Sequence, residues 1–133
     1  MNRNVRRYAW RALLLGLVLV VGGAAATSLV IGRQVRGAVA AAQSWEPGDP
    51  VEALLAVATS PDYAVAERNR AVWALGQLGD SRAVAPLATL LPHTNCEHGQ
   101  DVCRRKLEQA IELCEGAPNV GAVLWRHGRL ATR

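Results

Sequence analysis

The chain has 133 residues, enough for one small domain, and half of them are hydrophobic. The formal charge of +4 is unevenly placed: residues 1–44 carry six arginines and no acid, while residues 45–133 carry nine basic against eleven acidic residues, a net −2. A mildly acidic folded part lacks the clustered positive charge of a nucleic-acid footprint, so no nucleic-acid partner is expected.

Residues 1–11 form a basic segment with Arg3, Arg6, Arg7 and Arg11. Residues 12–32, ALLLGLVLVVGGAAATSLVIG, contain no charge over 21 positions. As a helix this run is about 30 Å long, the thickness of a bilayer's hydrocarbon core. The excess of arginine before it predicts an N-terminus inside and the remainder outside a bacterial-type cytoplasmic membrane. Tyr8 and Trp10 stand where interfacial aromatics anchor the inner end. A cleaved signal peptide is the competing reading, with Ala24-Ala25-Ala26 before the cut. The apolar continuation SLVIG favours the uncut anchor. Gly22, Ala26 and Gly23, Thr27 are small residues spaced by four, a pattern that allows close packing of two anchors but carries little weight alone.

Residues 33–49 read as a linker whose first part prolongs the helix. Glu46-Pro47-Gly48-Asp49-Pro50 breaks it, and the folded domain is expected over 50–133. Apolar spacing predicts helices near 50–59, 64–78, 81–91, 101–115 and 118–129. Within Arg68 to Leu91, Ala71, Ala74, Leu75 and Leu78 recur at helical spacing. Gly79 ends that helix and Asp80 caps the next, whose stripe is Ala83, Val84, Leu87, Leu90 and Leu91. A fifth helix presents Val120, Val123, Leu124 and Trp125 as a closing cap.

Arg70, Ala71, Ala74-Leu75-Gly76, Leu78-Gly79-Asp80, Ala83-Val84, Leu87 and Leu90-Leu91 resemble the signature of HEAT-like repeats of the type first named from bilin lyases. Pro86 falls in the second helix, where that family commonly tolerates one. A second copy is visible: Val51–Pro61 lies over Ala83–His93 at an offset of 32, and Arg70–Leu78 over Lys106–Cys114 at an offset of 36. The resemblance implies an all-α fold, a short α-solenoid of about two helix pairs plus a cap. It also implies protein–protein binding through stacked helices, while the absence of catalytic groups in the sequence predicts a non-enzymatic module with no cofactor. Two pairs are short for a self-sufficient stack, which predicts a protein partner of unknown identity and leaves oligomerisation open.

The stretch HTNCEHGQDVC gathers two of the three histidines and two of the three cysteines. Cys103, Leu107, Ala110 and Cys114 share one helical stripe, and Cys114 takes the place of Leu78 in the other copy. Cys103 and Cys114 lie about 16 Å apart on one helix and cannot bridge. In an oxidising compartment Cys96–Cys103 is the natural pair, closing an eight-residue loop worth about 2 kcal/mol. Cys96–Cys114 and three free thiols are the other options. A metal site from His93, Cys96, His98 and Cys103 has zinc-type donors, but lacks the close Cys-x₂-Cys knuckle. It defines the alternative function, a small metal- or redox-responsive protein. Ser44, Ser60 and Ser81 have no nucleophile context, and the glycines form no phosphate loop. Arg126, His127, Arg129 and Arg133 read as a basic solvated tail.

Overall fold

The structure is a computed structural model that describes residues 3–94, 101–119, 121–122 and 125–126. Every regular element among them is helical: α1 Arg3–Trp45, α2 Pro50–Thr59, α3 Val65–Leu78, α4 Val84–Leu90 and α5 Arg104–Cys114. A 3₁₀ turn, Ser81–Ala83, leads into α4, and a second, Leu91–His93, follows it.

The local chemistry explains the boundaries. Asp49 accepts from the N–H groups of Val51 and Glu52 at 2.9 and 3.3 Å, and Pro50 occupies the first helical position, so α2 starts where its donors are satisfied. The helix α3 stops at Gly79, whose φ of 64° is the left-handed conformation that glycine adopts without steric cost. Its amide donates to the Leu75 carbonyl at 2.9 Å. Asp80 then receives the Arg82 amide at 3.0 Å and opens the next turn.

The expected 81–91 helix is divided. Its first turn is 3₁₀, so Pro86 falls in the first turn of α4, where its missing N–H has no intrahelical acceptor to lose. The expected 101–115 helix starts three residues later, at Arg104. The amide of Cys103 turns instead to Asn69 Oδ1 on α3, at 3.0 Å. Half of the expected 118–129 helix lies outside the described residues, Val120, Val123 and Leu124 included. Within the described part, Arg126 donates its amide to the Ala122 carbonyl at 2.9 Å, one helical turn.

The segment 33–49, expected as a linker, is helical as far as Trp45 and enters the core. No glycine or proline interrupts AVAAAQSW, and alanine is the best helix former. Ser28, Gly32, Val35, Val39 and Ala42 are buried at alternating spacings of four and three, with Ala38 beside them, so one stripe of α1 faces the domain. The domain therefore begins inside α1, some twenty residues before Pro50. The break itself falls at Glu46–Asp49, as composition predicts.

The core joins this stripe to Val51, Leu54 and Val57 of α2, Ala71, Val72 and Leu75 of α3, Leu87 of α4, and Leu107 and Ala110 of α5. The helix α3 packs against α1, α2 and α5, while α4 packs against α2 and α5. Trp45 stacks at a tilt on Tyr63, ring centroids 5.4 Å apart, and the Tyr63 hydroxyl donates to Glu46 Oε1 at 2.8 Å. These contacts hold the end of α1 against the turn before α3.

Candidate functional site: a basic groove and the strap behind it

Small residues on α3 permit a close helix pair. A Cβ added at Gly76 would lie 2.9 Å from the Ala110 Cα, so α3 and α5 touch nearly backbone to backbone there. Beside this contact α3 keeps a polar edge. Ala66, Asn69, Arg70 and Trp73 of α3, Lys106 of α5 and Gln34 of α1 line a groove of about 510 Å³. Arg70, Lys106 and Gln34 are exposed, while Trp73 and Asn69 are half-buried. Asn69 is held at both ends of its amide, the nitrogen donating to the Val65 carbonyl at 3.0 Å and the oxygen accepting from the Cys103 amide. Its role is to fix α5 beside α3 so that Lys106 faces Arg70 across the groove. No carboxylate lines this groove among the described residues.

Two arginines frame the fold around it. Arg68 donates through Nε to the Ala58 carbonyl at the end of α2 at 3.2 Å and lies 3.6 Å from Asp101. Arg82 pairs with Asp80 at 2.9 Å and approaches Asp49 at 3.3 Å, linking the starts of two helices. The hydrogen bonds from Arg82 hold the Asp80 carboxyl below its ordinary pKa.

Described residues near the C-terminus, Gly121, Ala122, Trp125 and Arg126, form a strap at the end of α3. The Arg126 guanidinium donates to the carbonyl oxygens of Gln77 and Gly76. Asn119 donates to Gln77 Oε1 at 3.0 Å. Trp125 is 8 % exposed and rests on Gly32 of α1, and Gly121 meets Ile31. Arg126 is therefore not part of a solvated tail. Helix ends leave carbonyls unsatisfied, and a cation there also answers the negative end of the helix dipole. The chain's basic composition alone does not separate this arginine from Arg129 or Arg133.

The residues expected to carry the repeat fall into three environments. Ala74, Leu75, Gly76 and Leu87 are buried, and Leu78, Gly79 and Asp80 are half-buried. Arg70 faces the groove. Cys114 is buried and its thiol donates to the Leu75 carbonyl at 3.4 Å. Burial pushes its pKa up, with the Arg126 charge opposing. Cys103 is half-buried at the start of α5 and His93 is exposed. Cys96 and His98 lie outside the described residues, and with them the Cys96–Cys103 pair and the four-ligand metal set. Among the described residues Cys103 and Cys114 are free thiols.

Residues 67–91 match the PBS lyase HEAT-like repeat family. The chain therefore carries a HEAT-like repeat segment. The matched HEAT-like segment is α3, its glycine stop and α4, the stretch on which Gly76, Gly79 and Asp80 sit. HEAT-like repeats of this kind are typically non-catalytic. No curated protein and no solved structure matches the chain. Lys106 stands at the position of Arg70 in the second copy, whereas nothing in the repeat spacing singles out Gln34, which joins the groove because α1 continues into the core.

Proposed function

We propose that this chain is a membrane-tethered, non-enzymatic interaction module, with α1 crossing a bilayer and holding a short HEAT-like solenoid at its outer face. The carrying observation is the division along α1. Its first part, including Leu13 to Leu15 and Leu17 to Val21, is exposed and apolar, whereas its last part is a core helix. The helix is long and apolar enough to cross a membrane. Water penalises so many exposed aliphatic side chains, and a lipid environment removes that penalty.

Arginines before the apolar run favour the orientation with the N-terminus inside. The packing of α3 against α1 and α5, and of α2 against α4, supports a short stacked arrangement. Its exposed helical faces are then available to a protein partner.

The test is fractionation and topology of the full chain. Expected are resistance to alkaline extraction, a retained mass of 14.2 kDa and activity of a phosphatase fused after Arg133 only when exported. Release by alkali, or a mass loss matching cleavage near Ala26, overturns the anchor. Phosphatase activity confined to the cytoplasm overturns the orientation.

A further inference from the structure

We propose that the groove between α1, α3 and α5 binds the headgroup of an anionic phospholipid from the membrane that α1 crosses. This rests on the anchor reading above and assigns a ligand to a particular site beside it.

Depth supports the assignment. The uncharged run ends at Gly32, and Gln34, two residues on, lines the groove. At 1.5 Å per residue the groove meets α1 about 3 Å beyond the end of the apolar run, within the headgroup layer of a bilayer. A headgroup enters it without leaving its own leaflet.

Charge supports it next. Arg70 and Lys106 face one opening from two different helices, with neither engaged in an ion pair among the described residues. The guanidinium offers two parallel donors to phosphate oxygens and the ammonium offers a point charge. Gln34 adds a neutral donor for a glycerol hydroxyl or carbonyl. Trp73, half-buried in the wall, is an amphipathic ring at interfacial depth. Arg33 and Arg36 are also exposed on α1 and raise the local potential.

The folded part is acidic overall, so this positive cluster is a local exception. An acidic peptide would need the same cations. The lipid is favoured by the position of Gln34, since a headgroup is present at that depth at high local concentration.

The test uses the full chain in neutral detergent. Native mass spectrometry counts lipid retained from an equimolar mixture of phosphatidylglycerol and phosphatidylcholine. The expected result is preferential retention of phosphatidylglycerol, reduced roughly tenfold in the double variant Arg70→Gln/Lys106→Gln. Both residues are exposed, and circular dichroism checks that helicity is kept. Arg7→Gln, on the other side of the apolar run, should retain the preference. Equal retention by wild type and double variant overturns the proposal, as does an equal loss with Arg7→Gln. Displacement of the lipid by a polyglutamate peptide that binds more tightly at the same residues overturns it in favour of a protein ligand. Alkaline extraction of the same chain from membranes reports separately: release overturns both readings, whereas an embedded chain without lipid preference overturns the groove alone.

Discussion

The Arg126 guanidinium lies 2.8 Å from the Gln77 carbonyl oxygen, 49 residues earlier in the chain. A second bond reaches Gly76 at 3.2 Å. This contact closes α3 from outside the repeat and fixes the strap that carries Trp125 onto α1. Arg126→Ala should lower stability by about 1.5–3 kcal/mol, the range for hydrogen bonds to a charged group. Urea unfolding of the full chain in detergent, followed by circular dichroism, measures it. Arg126→Lys should recover only part, because an ammonium lacks the fork that reaches two carbonyls. Full recovery by lysine would reduce the contact to simple charge.

Gly79 and Gly76 predict different costs from the same substitution. At Gly79 an added Cβ meets the Arg126 guanidinium at 2.6 Å and must also adopt φ 64°. At Gly76 the backbone is helical, so alanine gains about 1 kcal/mol of propensity. Its Cβ, however, lies 2.9 Å from the Ala110 Cα, and backbone cannot swing aside. Overpacking of about 1–3 kcal/mol outweighs the gain. Both variants should unfold earlier than wild type, and Gly76→Ala alone should also weaken the α3–α5 pair, read as faster amide exchange in α5.

The Cys114 thiol is held protonated by burial, so its folded pKa is raised above the unfolded value. The folded state then binds the proton more tightly than the unfolded state in the interval between the two. Stability from this source is fully present below the ordinary thiol range, about 8.5, and is lost as pH rises through the raised value. Unfolding midpoints should fall above that range in wild type and stay flatter in Cys114→Ala. An unchanged pH slope in the variant would contradict this.

Asp80 has the opposite sign. Hydrogen bonds from Arg82 lower its folded pKa. The stability it adds is present above the ordinary carboxylate range and disappears as pH falls through the lowered value. Its side chain is partly exposed, so the effect is small. Asp80→Asn should lose the charge pair with Arg82 while keeping an N-cap, making acid unfolding less steep.

Peptide mapping under non-reducing conditions decides the cysteine question. On the exported orientation proposed above, the eight-residue spacing predicts a Cys96–Cys103 crosslink, with Cys114 slow to alkylate.

Much of this architecture is legible locally. Asp49-Pro50 and Leu78-Gly79-Asp80 mark helix boundaries through capping chemistry, and those boundaries fall where sequence places α2 and the end of α3. The buried Ala74, Leu75 and Leu87 follow from helical spacing. The continuation of α1 was harder to read for a physical reason. Val35, Ala38, Val39 and Ala42 are small and lie among arginines, so nothing in the composition distinguishes a core stripe from a helical linker. What decides it is the surface they meet, formed by α2 and α3. The same holds for Arg126, whose partners are backbone carbonyls with no side-chain signature, and for the groove, whose lining comes from three helices.

On the proposed function, one continuous helix serves as both anchor and core element. Single-site spin labels scanned along α1 of the full chain in lipid vesicles test this. Lipid-exposed labels are expected from Leu13 to Val21, then immobilised labels at Val35, Val39 and Ala42 alternating with mobile, water-accessible ones at Arg33 and Arg36. Uniformly mobile labels from 33 to 45, or water access throughout the apolar run, would contradict it.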